Sequence, residues 1–228
     1  MTYSSPDKSL PEQSLLFPEP DQSLVVLDFE TSGMSPDQGD RAIEVGAVKL
    51  NNGRIVDQFQ SLMNPGFAVN GFIQDFTGIS NAMLRKAPDN ATVMAQFARF
   101  IGDAPLVAHN AAFDQCFLAS ELQQIDCCQT LNFACSMLTA RRVYPDAPNH
   151  KLATLVAYKQ LPNAGQFHRA LADAQMTAYL WLQMEKDLMA NYGFRQVPFA
   201  LLQRLGTIAR KKAPDFLQKQ CAAINATC

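Results

Sequence analysis

Two carboxylates, Asp28 and Glu30, stand two positions apart at the end of an apolar run in "SLVVLDFETSG", residues 23 to 33. In a β-strand successive side chains point to opposite faces, so these two share a face with their charges roughly 7 Å apart. Anions so placed repel unless a cation joins them, and binding a divalent metal ion is the chemistry they could serve. The pair alone fits two solvated acids at a strand end just as well. Further carboxylates occur in "VAHNAAFD", which ends at Asp114, and in "HRALAD", which holds His168 and, five residues on, Asp173. Asp114 and Asp173 each fall near the start of a helical pattern, where the helix dipole favours an anion. Singly, each is equally a first-turn acid, and His168 an ordinary surface or core histidine. The ordered set carries the information: an acid pair on the first strand, an acid after the fourth, and HxxxxD opening the last long helix.

The elements that must position these groups follow from periodicity. "LVVLDF", "AIEVGAVKL" and "RIVDQFQSLM" are read as three strands, and the Asn-Gly step in "NNGR" supplies a hairpin turn between the last two. From Ala91 the period becomes helical, with Val93, Met94, Phe97 and Ile101 recurring, and "PLVAH" follows as a short buried strand. "NAAFDQCFLASEL" is expected as a helix with Asn110 as its N-cap and Phe113, Phe117 and Leu118 along one face. "FACSML" is expected as the fifth strand and "HKLATLVAYKQL" as a helix. "RALADAQMTAYLWLQMEKDL" is expected as a long helix with Leu171, Ala174, Ala178 and Leu182 in register. The order βββαβαβαα defines one α/β domain over residues 23–190. Residues 1–22, with four of the 13 prolines, are expected as a flexible N-terminal arm, and residues 191–228 as a basic C-terminal helical extension carrying Arg204, Arg210, Lys211 and Lys212.

At 228 residues and 48% hydrophobic content the chain can bury a substantial core, which excludes disorder throughout. The first 15 residues lack a basic segment followed by an apolar one, and no apolar run approaches the ~20 residues a membrane span needs. A soluble, cytoplasmic protein with no membrane partner is expected. The six cysteines show neither a CxxC pair nor a zinc-type spacing, so reduced thiols are expected. A net charge of −2 argues against wrapping a long duplex, which depends on clustered cations, and leaves local capture of a strand end open.

Over residues 23–190 the set closely resembles the DEDDh 3′-5′ exonuclease superfamily. Its first motif is matched by Asp28, Glu30 and Thr31 in "DFETSG", its second by "VAHNAAFD" ending at Asp114, and its third by His168 and Asp173 in "HRALADA". "RAIEVGAVKL", "FTGIS" and "HKLATL" resemble the intervening segments, and the nearest resemblance is to the proofreading epsilon subunit of bacterial DNA polymerase III and its free-standing homologues. "FTGIS" lacks a His common in the family, and Cys135 and Ser136 stand where many relatives carry Asp-Thr. These departures bear on substrate preference.

The resemblance implies an RNase H-like fold, a five-stranded mixed sheet flanked by helices. It implies two Mg²⁺ or Mn²⁺ ions held by Asp28, Glu30, Asp114 and Asp173, with Asp28 bridging, and His168 as general base for hydrolysis that releases nucleoside 5′-monophosphates. Thr31 is then expected at the terminal 3′-hydroxyl or phosphate, Phe76, Thr77 and Ile79 against the terminal base, and His109 and Asn110 lining the nucleotide site. Core packing explains Phe76 and Ile79 equally well, and a helix cap explains Asn110. The substrate implied is a single-stranded or frayed 3′ end of DNA, delivered by a polymerase or sliding clamp. RNA ends or short oligonucleotides are the alternative, and an inactive binding module is disfavoured by the presence of all five catalytic residue types. Within the arm, "QSLLF" resembles the pentapeptide that docks on sliding clamps, with Gln13, Leu16 and Phe17 at the anchoring positions and Ser14 where Leu is commoner. Packing of Leu15, Leu16 and Phe17 on the domain's own sheet edge is the other reading.

Overall fold

The alternation expected along the first strand sets the architecture. The structure, a computed structural model, describes residues 23–163 and 169–227. Strand β1 (Leu24–Thr31) lies at the centre of a five-stranded sheet of order β3-β2-β1-β4-β5, with β2 (Ala42–Asn51), β3 (Arg54–Leu62), β4 (Leu106–Ala108) and β5 (Phe133–Cys135). β1, β2 and β3 form an antiparallel meander, while β4 runs parallel to β1 and β5 parallel to β4. The β2–β3 turn is Asn52-Gly53, both residues at positive φ (48° and 73°), the backbone that an Asn-Gly hairpin turn requires.

Each face of the sheet buries its own core. Val25, Leu27 and Phe29 of β1 join Val45 and Ala47 of β2 under α3 (Asn90–Ile101) and α4 (Ala112–Gln123). Leu24 and Val26 join Val48 and Leu50 on the opposite face, beneath Leu180, Trp181 and Met184 of α7 (Ala170–Tyr192). The period of two therefore directs Asp28 and Glu30 to the α7 face. α5 (Ser136–Val143), α6 (Leu152–Tyr158), α8 (Phe199–Thr207) and α9 (Ala213–Thr227) complete that layer. Leu201, Leu202 and Leu205 of α8 and Leu217 of α9 are buried in the same core as Trp181, so the C-terminal segment packs directly on the α7 layer.

Several expectations are corrected. "FACSML" is a strand only through Cys135. Ser136 starts α5, and its hydroxyl is drawn inward to Ala108 O and His109 instead of continuing a ladder. Asn110 is not the N-cap of α4: it sits at φ 73°, in the tight turn leaving β4, and the cap position is Ala111, with no side-chain cap bond. α1 (Gly71–Thr77) and α2 (Asn81–Leu84) fill the stretch between β3 and α3, each capped by the residue before it, Asn70 and Ser80. The arm residues Gln13, Leu16 and Phe17 lie outside the described residues, as does His168.

Candidate active site

β1 delivers the first acids. β4 ends at Ala108, with Val107 opposite Val26, so among the described residues β1 beyond Leu27 has no strand partner on that side. The opened edge is used by α4: Asp114 Oδ1 accepts a hydrogen bond from the Phe29 N–H at 3.1 Å. This anchors a first-turn acid of α4 against the middle of β1. From the other side, α7 begins at Ala170, and its first-turn acid Asp173 meets the β1 pair. Carboxylate oxygens of Asp28, Glu30 and Asp173 lie within 4.8 Å of one another.

Both helices are clamped to β2 by buried glutamates that sequence reasoning did not single out. Glu44, fully buried opposite Glu30, accepts from Arg169 Nε (3.1 Å) and Nη2 (2.8 Å), from the Ala170 N–H (3.1 Å) and from Gln60 Nε2 (2.9 Å). It thereby holds the first backbone donor of α7 and the residue before it. Glu121 of α4 accepts from Arg41 Nε (2.9 Å) and Nη2 (2.7 Å), the Ala42 N–H (3.0 Å) and Asn90 Nδ2 (3.0 Å). Removing one member of a buried ion pair strands the other charge, at a cost of about 3–5 kcal/mol. Arg169→Met is accordingly expected to destabilise the protein by about that amount in urea melts. A loss within noise would mean that Glu44 does not depend on Arg169. For Glu44 the signal available in the sequence was a lone acid among the apolar residues that open "AIEVGAVKL".

A second feature brings α7 this close. Gly46 pairs with Asp28 across the β1–β2 ladder, and a Cβ there would collide with the Leu171 nitrogen and the Ala170 carbonyl carbon. Only glycine lets the start of α7 lie against β2. Gly46→Ala is expected to push that start outward and to destabilise by about 1–3 kcal/mol, as overpacking does. It is also expected to abolish any rise in melting temperature produced by Mn²⁺ held at these acids. A variant with wild-type stability and metal response would show that the approach is not needed.

The electrostatics are those of anions held out of water. Burial, and then the charges of Asp114, Glu30, Asp173 and Glu44, hold the Asp28 carboxyl well above the usual carboxylate range. Burial first, then Asp173, Glu44 and Asp114, pushes Glu30 up to about 8, against a smaller lowering by Arg169. Burial pushes Asp114 up to about 7 in spite of the Phe29 N–H. Without a cation these groups keep their protons to unusually high pH.

The remaining expected residues are distributed unevenly. The Thr31 hydroxyl donates to Gly33 O (2.6 Å) at the end of β1. Phe76 is half exposed and stacks on Phe72 (centroids 5.9 Å apart), whereas Ile79 is fully buried with Ile43, Val69 and Leu84. The buried Thr77 hydroxyl donates to Ile73 O and accepts from the Ile79 N–H, closing the end of α1. Desolvation lowers the pKa of the partly buried His109 to about 4. Its Nε2–H must donate to His150 O (2.9 Å), a carbonyl that can only accept, so Nδ1 receives the Ser136 hydroxyl (2.8 Å). That neutral ring ties the end of β4 to α5 and to the segment before α6.

A five-stranded mixed sheet with acids gathered at the end of its central strand, from β1 and the first turns of two helices, defines the DEDDh class of nucleases. The chain belongs to the exonuclease family RNase_T, whose match spans residues 25–181. It is 39% identical over 171 residues to the PolC-type DNA polymerase III of Bacillus subtilis (strain 168), an alignment covering 73% of this chain and 12% of the polymerase. It is 33% identical over 198 residues to the 3′-5′ exonuclease DinG of the same organism, covering 85% of this chain and 20% of that protein. The chain thus spans a small part of the relatives it matches. Among solved structures, exonuclease X in complex with 5′ overhanging duplex DNA superposes with a TM-score of 0.59 at 24% identity, covering 79% of this chain and 99% of that one. Exonuclease I of E. coli in complex with a dT13 oligonucleotide gives 0.65 at 14% identity, covering 75% and 42%. At these identities the structures establish the shared fold. No helix among the described residues is long and apolar enough to cross a membrane.

Proposed function

We propose that this chain is a metal-dependent 3′-5′ exonuclease that removes nucleoside 5′-monophosphates from single-stranded or frayed 3′ ends of DNA. The observation that carries the reading is the convergence of Asp28, Glu30 and Asp173 within 4.8 Å, with Asp114 anchored beside them, in a member of the exonuclease family. The donor set fits Mg²⁺ or Mn²⁺, since it consists of carboxylate oxygens alone and its acids stay protonated unless a cation replaces the protons. Asp28, Glu30, Asp114 and Asp173 would hold two such ions. Bound there, the ions supply positive charge at the attacked phosphate and acidify water.

The chain's own residues orient the strand end and move the proton. Phe76, exposed beside Phe72, offers its ring to the terminal base, and the backbone around Thr31 faces the terminal sugar. His168 accepts the proton of the attacking water while the bond from phosphorus to the upstream 3′-oxygen breaks. In support of that role, the ring Nε2–H groups of His109 and His150 are both committed to backbone carbonyls, His150 O and Tyr144 O. Arg169, the neighbour of His168 in sequence, is fixed on Glu44. The relative at 39% identity, a DNA polymerase, supports DNA over RNA. We assign Gln13, Leu16 and Phe17 to docking on a sliding clamp, consistent with a proofreading or repair setting.

The test is incubation with Mn²⁺ of 5′-labelled single-stranded DNA, a 3′-mismatched duplex and RNA of matched sequence. A ladder on both DNAs is expected. A ladder on RNA alone would make the chain an exoribonuclease, and no product on any substrate would leave an inactive binding module.

A further inference from the structure

The C-terminal segment is charged unlike the rest of the chain. Residues 191–228 hold six of the 19 Lys and Arg but one of the 21 Asp and Glu, in a protein of net charge −2. Everything before them is therefore strongly acidic and would repel a polyanion. Three of these cations, Arg210, Lys211 and Lys212, form an exposed 3₁₀ turn between α8 and α9. They do not stand alone, because α5 packs on α8 and ends in Arg141 and Arg142. Arg142 donates to Ile208 O and to Leu138 O, both at 2.8 Å, and Arg210 donates to Pro145 O at 3.1 Å. The guanidinium groups of Arg141, Arg142 and Arg210 are close enough that their mutual repulsion lowers the pKa of Arg142, beyond the effect of burial. Among the described residues no ion pair engages any of these five side chains. Folding has gathered like charges, two of the arginines held by backbone carbonyls, and left them without anions.

The cluster is connected to the acid site. His109 follows β4 directly, and β4 pairs with β1 two residues before Asp28. From His109 a line of hydrogen bonds runs outward: its Nε2–H donates to His150 O (2.9 Å), and the His150 Nε2–H donates to Tyr144 O (3.0 Å). The next residue, Pro145, is the one that Arg210 grips. Lys151, exposed at the start of α6, lies on the same segment, whose one acid is Asp146. Hydrogen bonds thus link the loop that follows β4 to the residue that Arg210 grips.

We propose that Arg141, Arg210, Lys211 and Lys212 grip the phosphate backbone of the substrate strand upstream of its 3′ terminus, a reading that rests on the exonuclease assignment above. Contacts to phosphates carry no sequence information and give binding a steep salt dependence, with a slope of about 0.7 per phosphate neutralised on a single strand. Arg210, already held by Pro145 O, loses little freedom on contact with a phosphate. The site acids supply the chemistry, and this surface supplies the affinity for chain length.

The experiment compares wild type with an R141Q/K211Q/K212Q variant, all three positions lying outside the acid site. The readouts are fluorescence anisotropy on labelled single-stranded DNA across a salt series, and turnover on that strand and on a dinucleotide. The variant should melt like wild type, bind the long strand about tenfold or more weakly, show a salt slope smaller by roughly 2, and cleave the dinucleotide at the wild-type rate. Equal affinity and slope for the long strand would overturn the proposal while leaving the exonuclease assignment standing. If the wild type cleaves neither substrate, the assignment itself fails and the proposal with it. Should the variant not fold, wild type alone decides: a salt slope that does not grow from dinucleotide to long strand overturns the proposal.

Discussion

Replacing Asp28 by Ala is expected to abolish metal-dependent hydrolysis and, in metal-free buffer near pH 8, to leave the protein more stable than wild type. The sign follows from protonation. Glu30 titrates at about 8 and Asp114 at about 7 in the folded chain, against ordinary values of 4.5 and 3.8, and Asp28 is also raised. The folded state therefore holds protons that the unfolded chain releases above about pH 4. The stability associated with those protons is complete below the unfolded values and is lost as pH rises through the folded values, so metal-free wild type should weaken between about pH 5 and pH 8. Deleting Asp28 removes one of the charges acting on Glu30's neighbourhood and a carboxylate that burial itself penalises. We expect a gain of ~1–2 kcal/mol at pH 8, roughly 2–8 °C in Tm for a chain of this size, and a flatter pH profile. Mn²⁺ should raise the Tm of wild type at pH 8 and do little for the variant, because binding of the folded state alone stabilises it. Thermal melts with and without EDTA across this pH range decide the matter. A variant less stable than wild type at pH 8 without metal would show that the acids are not in conflict.

The parts of the site that could be read from the sequence are those fixed by local periodicity. Alternation in "LVVLDFE" places Asp28 and Glu30 on one face, and the first-turn positions of Asp114 and Asp173 follow from where helical spacing begins. What could not be read are the contacts between elements remote in sequence. Glu44 and Arg169 are 125 residues apart, and Arg41 and Glu121 are 80 apart, yet these pairs hold α7 and α4 to β2. Gly46 reads as an ordinary strand glycine until Ala170 and Leu171 are brought against it. Asn110 misled because Asn is a preferred N-cap and also one of the residues that tolerates positive φ; the sharp exit from β4 demanded the second property. "FACSML" misled because three apolar strand residues run without a breaker into a helix whose start is set by the Ser136 hydroxyl donating to His109, the residue after β4. Ile79 and Phe76 were indistinguishable by type, and packing separated them, one into the core and one to the surface.

Replacing His168 by Ala is expected to lower turnover by about 10²–10⁴, the usual contribution of a general base, with the metal response of the Tm and the affinity for DNA kept. Under the proposed function the four acids hold the cations, and the imidazole acts only on the proton of the attacking water. His109 cannot substitute: desolvation holds its pKa near 4 and both ring nitrogens are occupied, by Ser136 and by His150 O. His150 has its Nε2–H committed to Tyr144 O. The chain has three histidines in all, so no other imidazole remains. The measurement is kcat and KM on labelled single-stranded DNA alongside metal titration by thermal melt. A fall in kcat with KM and the Mn²⁺-induced Tm shift unchanged is the result expected of a proton acceptor. A variant that loses the Tm shift as well would make His168 part of the cation site, and one with near-normal turnover would remove it from the chemistry altogether.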